Sequence, residues 1–366
     1  MSSFGINVFD FGAKGDGITD DTFAIQSAIN YVAKRGGGKI LFPYTQGGYR
    51  IGSPAIEQYE GKPLRSQLVI PPTGANIMLE GEMPCKMLNP YIVRELDSVK
   101  NNFKPTRFVE YSSSPLGDCN TRIFSDWIAP EIHDGSARPY SIISAPEGNS
   151  CKGKFSTLQF SIANLDFRVP MQHDKMYTTQ SAVNLQNVSR VHVSDSQFCL
   201  TENVGDTVLC KELLPNPCHC AGLILSGDQN DNNVLRNVSV QGFRYGIVAG
   251  EHVVADYLYI HNCEEGLTFH DCSHLSVINH IVAQHNAIII STTNIDLFGM
   301  EKGPCNIEIG TVNFECGTNL KPAVSQLKYG VCDLDKRLHG SLKWHKPWGK
   351  QEFPAICSKD FKIEQF

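Results

Sequence analysis

The chain has 366 residues, with 32 basic and 38 acidic side chains and a formal net charge of −6; its pI is near 6.1. No basic stripe runs along it, which argues against nucleic acid as a partner, and no stretch is long and apolar enough to span a membrane. Thirteen cysteines, odd in number and widely scattered, do not read as a disulfide framework.

Those cysteines read instead as reduced thiols inside a core, which suits a reducing compartment. Cys218-His219-Cys220, with Cys210 upstream, lacks the spacing of zinc fingers, so no metal is expected there. Residues 1–6 have neither the charged nor the apolar region of a signal peptide. The expected location is cytoplasmic, or secreted or phage-associated if a leader has been removed.

The chain opens on a dense set of signals. Val8 to Phe11 reads as a short strand. Gly12, Gly15 and Gly17 permit backbone angles closed to other residues. Asp20 or Asp21 is a good N-cap, and Phe23, Ala24, Ala28, Ile29 and Val32 recur at helical spacing, so a helix is expected over 21–33. Gly36, Gly37 and Gly38 end it, and Ile40 to Phe42 is a buried strand closed by Pro43. The aspartates Asp16, Asp20 and Asp21 are read as caps and turn formers.

The string FGAKGDGITDDT, the helix carrying AIQSAI, the glycine run with a strand ending in FP, and GGYRI resemble the N-terminal cap of the pectate-lyase superfamily. The resemblance covers about the first fifty residues. It implies an all-β fold, a right-handed parallel β-helix with one short capping helix. It implies little chemistry, because the same cap precedes hydrolases, lyases, epimerases and phage tailspikes.

A solenoid lengthens without splitting, so one domain is expected over 1–366. The cap takes 1–52. Early coils with a long excursion take 67–154, regular coils 155–317, and a C-terminal closure 318–366. The excursion is read over 85–154. Trp127 within it is a candidate sugar platform or, equally, a buried anchor.

From Phe155 onward, short apolar segments recur. Those at Ala182, Gly222, Gly246, Gly266 and Ala287 start 40, 24, 20 and 21 residues apart, the later steps being one coil each. In that register Val183, Leu223, Ile247, Leu267 and Ile288 form one inward ladder. Leu185, Leu225, Ala249, Phe269 and Ile290 form another. Asn184, Ile224, Val248, Thr268 and Ile289 then point outward. An apolar outer column implies a covered face, by the excursion or by neighbouring subunits, and a homo-oligomer, a trimer by family analogy, is one expected state.

The turn after these strands gathers Asp228, Glu251, His270 and Asp271. These are the candidate catalytic groups, with two carboxylates flanking a glycosidic bond as acid and as base or nucleophile. Asp231, His252, Arg244 and Trp127 are candidate substrate contacts. The plain alternative is that Asp and Asn fill turns because they make turns. Arg244 is also read as stacking on Glu264, and Tyr245 on Glu265, as a surface ion pair of small value.

Three functions follow. The first is a glycoside hydrolase acting on a polysaccharide or oligosaccharide, with no cofactor. The second is a polysaccharide lyase. It needs a cation near its base, and no Lys or Arg lies between Val254 and Met300, so calcium on Asp228, Glu251 and Asp271 would have to supply the charge. The third is a glycan-binding or tailspike-like structural β-helix without catalysis. The polygalacturonase motifs Asn-Thr-Asp, Gly-His-Gly and Arg-Ile-Lys are absent.

Overall fold

The computed structural model describes residues 5–52, 54, 58–59, 62–83, 120–131, 139–146, 157–171, 178–201, 218–225, 232–269, 273, 275–284, 286–292, 303–315, 329–345 and 353–366. Among them the strands stack in parallel, coil upon coil, and form three faces. Face 1 runs through Gly37–Phe42, Thr73–Gly81 and Thr157–Ala163, and continues to Phe361–Gln365. Face 2 begins with Asp16–Asp20, Gly48–Ile51, Thr121–Ser125 and Leu165–Pro170. Face 3 is a separate sheet of nine strands from Ser66–Val69 to Ala355–Ile356. This is the parallel β-helix that the N-terminal string implies.

Faces 1 and 2 share one sheet because single strands bend through the corner. Val188–Thr201 and Asn233–Gln241 each turn it with one left-handed residue, Asp195 at φ 46° and Asn237 at φ 54°; Asn164, at φ 58°, turns it one coil earlier. Short polar side chains tolerate that conformation. They also tie the coils together, since Asn237 Nδ2 donates to Asp195 Oδ1 at 2.7 Å.

The core is a set of ladders. Ile40, Leu79, Ile162, Val193, Leu235 and Ala255 are successive register partners on face 1, and all are buried. On face 3 the ladder is Leu68, Ile143, Val183, Leu223, Ile247 and Leu267. Each large rung contributes roughly 1.5–3 kcal/mol by leaving water. Gly222, Gly246 and Gly266 form a column where the backbone of one coil presses on the next. A Cβ on Gly246 would sit 2.5 Å from the Gly266 carbonyl oxygen.

The cap departs from its expected form at two points. Val8–Phe11 is a 3-10 turn, not a strand, because the Asn7 side chain accepts the Phe9 N–H and Gly12 closes the turn at φ 95°. The helix runs Thr22–Lys34. Asp20 Oδ1 accepts the Thr22 N–H at 3.0 Å, while the buried Asp21 carboxylate accepts the N–H groups of Lys14 and Gly15. Those glycine-rich turns are therefore pinned to the helix start.

Three expectations about the coils are corrected. The stretch read as an excursion carries two rungs, Thr121–Ser125 on face 2 and Tyr140–Ser144 on face 3. Rungs also run on beyond Gly317, through Tyr329–Cys332 and Leu338–His345. And Ile290, not Ile288, stands opposite Leu267, with Ser291 opposite Thr268. Ile289 is consequently an interior residue. Three isoleucines in a row carry no alternation, so their sequence alone does not fix the register.

Candidate active site on face 3

The strands of face 3 are short, and polar groups collect at both ends. The sequence reading sets its catalytic groups at their C-terminal ends, and of these Glu251 is described. The register there is as read, since Ile224, Val248 and Thr268 are partners and Ala249 faces Phe269. Glu251 is buried, and its backbone carbonyl accepts Asn233 Nδ2 at 3.0 Å. His252 is left-handed at φ 50°, and its carbonyl accepts the Asn233 N–H. Asp228, Asp231, His270 and Asp271 lie outside the described residues, so the calcium set and the carboxylate pair lie largely outside them as well.

The opposite, N-terminal ends form a second cluster. Tyr245 opens its strand and pairs with Glu265 on the next coil. Its ring is fully buried and lies parallel to His219, 6.0 Å between centroids, with Tyr245 Oη 3.2 Å from His219 Nδ1. The Arg244 guanidinium sits 5.4 Å from the Tyr245 ring centre and 3.7 Å from Glu264. The stacking read for Arg244 with Glu264 and Tyr245 with Glu265 is thus present, and it belongs to a larger polar group.

Glu265 is the chemical centre of that group. Ser291 Oγ donates to its Oε2, Thr268 Oγ1 approaches the same oxygen at 3.4 Å, and the two hydroxyls meet at 2.9 Å. Thr268 and Ser291 are both buried. Burial pushes the Glu265 carboxyl above the ordinary range, against the pull of Ser291, Arg244 and Thr268. His219 is pushed down to about 4 by burial and by Arg244, so it is a neutral imidazole near pH 7. Cys332, one coil further on, is raised by burial and by the Glu265 and Asp333 charges.

The outer column explains where this cluster stops. Asn184, Ile224, Val248, Thr268, Ser291 and Cys332 follow one another on successive coils. Ile224 and Val248 are buried with Ala221 and Tyr245 in a small apolar cluster outside the main core. The column turns polar at Thr268, beside Glu265. Sequence reading missed the cluster because the two-residue slip set Ile289, rather than Ser291, next to Thr268.

Arg244 therefore lies at the opposite edge of face 3 from Glu251 and His252. Glu251 is the sixth residue after Tyr245, up to about 20 Å away along the strand direction. Trp127 is half-buried on the same side as Arg244, edge-on to Tyr140 at 5.1 Å and 75°. A buried charge cluster among the described residues lies elsewhere, on face 2. Asp166 and Arg168, both fully buried, meet at 2.7 Å with Arg122 at 3.7 Å. Burial alone would raise Asp166, but Arg168 and Arg122 outweigh it and hold the carboxyl below its usual range.

Among the described residues no group of three or more His, Cys, Asp and Glu side chains is arranged to hold a metal ion. The seven described cysteines are free thiols, and all but Cys357 are buried. No described helix is long and apolar enough to cross a membrane.

Comparison with known proteins agrees with the cap. A family described as "Rhamnogalacturonase A/epimerase, pectate lyase-like" matches residues 5–62. Alginate lyase 7 of Azotobacter vinelandii is 60% identical over 45 residues, which are 12% of this chain and 5% of that protein. Mannuronan C5-epimerase AlgE5 of the same organism is 53% identical over 45 residues, 12% and 4% of the two chains. The chain thus spans about a twentieth of the length of these curated relatives. Among solved structures, ORF18 of Geobacillus virus E2 aligns with a TM-score of 0.43 at 13% identity, covering 99% of this chain and 61% of that one. The A-module of A. vinelandii epimerase AlgE6 aligns at 0.36 and 14%, covering 99% of each. The fold itself rests on the strand pairing. Residues 5–62 carry the pectate lyase-like N-terminal segment, and the chain that follows them winds a parallel β-helix.

Proposed function

We propose that the chain is a carbohydrate-active enzyme that cleaves a polysaccharide by glycoside hydrolysis on the outer side of face 3. The observation that supports this reading best is Glu265. It is a carboxyl raised by burial, held by two hydroxyls and set beside a guanidinium. A carboxyl whose pKa is raised by burial is suited to the role of a general acid. Glu265 gives that proton to the glycosidic oxygen as the C–O bond breaks. Glu264, ion-paired with Arg244, takes a proton from the water that attacks the anomeric carbon. The competing hydrolytic set is the one expected from the sequence, Asp228, Glu251, His270 and Asp271, of which Glu251 is described, at the other edge.

A second reading, a polysaccharide lyase, draws support from the same edge. Arg244 is a cation placed to neutralise a uronate carboxylate, and His219 and Tyr245 beside it are proton-transfer groups. One relative matched over the cap is an alginate lyase.

The test is a screen of alginate, polygalacturonate and a neutral glucan with wild type and Glu265→Gln. New reducing ends are read together with the absorbance of unsaturated products. The expected result is reducing ends without unsaturated product, abolished in the variant at unchanged Tm. Unsaturated product would replace hydrolysis with lysis. Binding without cleavage would make the chain a glycan-binding β-helix.

A further inference from the structure

The outer sides of the three faces differ. On face 2 the outward residues Gln197, Ser239 and Tyr259 are successive partners, and all are buried. On face 3 Ile224, Val248 and Thr268 are buried too. Face 1 is open. Its outward row passes through His192, Val234, Val254, Val277 and Glu308 on five successive coils. Val254 is 45% and Val277 38% exposed, while Ala255 and Ile278, next to them in sequence, are fully buried. Leu275, beside the row, is 75% exposed.

The charges on this face are sorted by coil. Arg190 and His192 share the first of the five strands and Arg236 lies on the second, whereas Asp256 lies on the third and Glu308 on the fifth. All but His192, which is half-buried, are exposed. The row is thus apolar in the middle and carries opposite charge at its two ends. Strand propensity accounts for a valine at any one of these positions. It does not account for the sorting of charge around them.

A two-fold axis standing on Val254, normal to the face, lays the row on its own reverse. Val254 then meets the same residue of a second copy. Val234 meets Val277, and Glu308 meets His192 with Arg190 beside it. Two copies running the same way would instead set Glu308 against Glu308, so the charge pattern selects the antiparallel arrangement. We propose that face 1 is the contact surface of a homodimer, two copies packed sheet to sheet and antiparallel about Val254. Four coil steps of about 4.8 Å by five residues of about 3.3 Å give a patch of about 19 by 16 Å. That is at the low end for a specific interface, so the dimer is weak and forms with rising concentration. Face 3 and Glu265 stay outside the contact.

Analytical ultracentrifugation of the full chain over a concentration series tests this. Wild type is expected to pass from monomer to dimer. Val254→Glu sets two carboxylates against each other at the axis and is expected to raise the dissociation constant at least about tenfold. The position is exposed, so Tm is expected to stay as in wild type. Glu308→Arg is expected to weaken the dimer by a smaller factor, one that shrinks as salt is added. Adding Arg190→Glu to Glu308→Arg is expected to restore the dimer, because each copy of a two-fold pair supplies both partners. A wild-type chain that stays monomeric to about 1 mM, one that forms trimers, or a dimer that Val254→Glu and Glu308→Arg both leave unchanged overturns the proposal.

Discussion

Ser291 and Glu265 lie on successive coils and are joined by a hydrogen bond from the Ser291 hydroxyl to the Glu265 carboxylate. The bond favours the ionised carboxyl, whereas burial favours the protonated one. Removing it in Ser291→Ala leaves burial less opposed, so the Glu265 pKa is expected to rise further. If Glu265 is the acid, the alkaline limb of the pH–kcat/KM profile moves to higher pH. Carbon-13 NMR of the carboxyl is expected to show the same direction without any substrate. Thr268→Val, which removes a longer bond, is expected to shift it less.

The two edges of face 3 are separated by a variant series. Glu265→Gln is expected to lower turnover by roughly 10²–10⁴-fold with little change in Tm. Glu251→Gln is expected to leave turnover within about threefold, because Glu251 lies beyond the opposite end of these strands from Glu265, and Asp228→Asn and Asp271→Asn complete the set expected from the sequence. A large loss in any of these three, with Glu265→Gln near normal, moves the site to the C-terminal edge.

His219 couples stability to acid. Its folded pKa of about 4 is below the ordinary 6.5, so between those values the unfolded chain binds the extra proton. Stability is therefore lost as pH falls from about 6.5 toward 4. His219→Gln is expected to flatten that part of the Tm–pH curve. A wild-type slope unchanged in the variant would show that another group is responsible.

The glycine column is expected to be intolerant. Gly246→Ala brings a Cβ to 2.5 Å from the Gly266 carbonyl oxygen and 3.0 Å from Ile260. Overpacking of this kind costs about 1–3 kcal/mol. Chemical denaturation is expected to show that loss, and a Gly36→Ala control, where a Cβ meets nothing but φ is 82°, separates crowding from backbone strain.

The cap was legible because its signals are local. Glycines, an N-cap and a helical period within one short stretch leave few alternatives. The coils were legible where apolar and polar residues alternate, as in Val183-Asn184-Leu185 and Leu267-Thr268-Phe269. They were not where alternation fails. Ile288, Ile289 and Ile290 look alike from either face, and Thr121–Ser125 is short and largely polar. The Glu265 cluster depended on that slip, since Ser291 reaches Glu265 only in the true register. Tyr245 and His219 lie on different coils, 26 residues apart, and no periodicity encodes their contact.

The left-handed corner at Asn164, Asp195 and Asn237 has an evolutionary consequence. From Thr157 onward faces 1 and 2 meet within a strand or across one residue, so that corner has no room for added chain. The other two corners are loops, and both flank face 3. Insertions and deletions can accumulate there without changing the rise from coil to coil. The fold thus has one closed corner and two that can take added chain, and both of those border face 3.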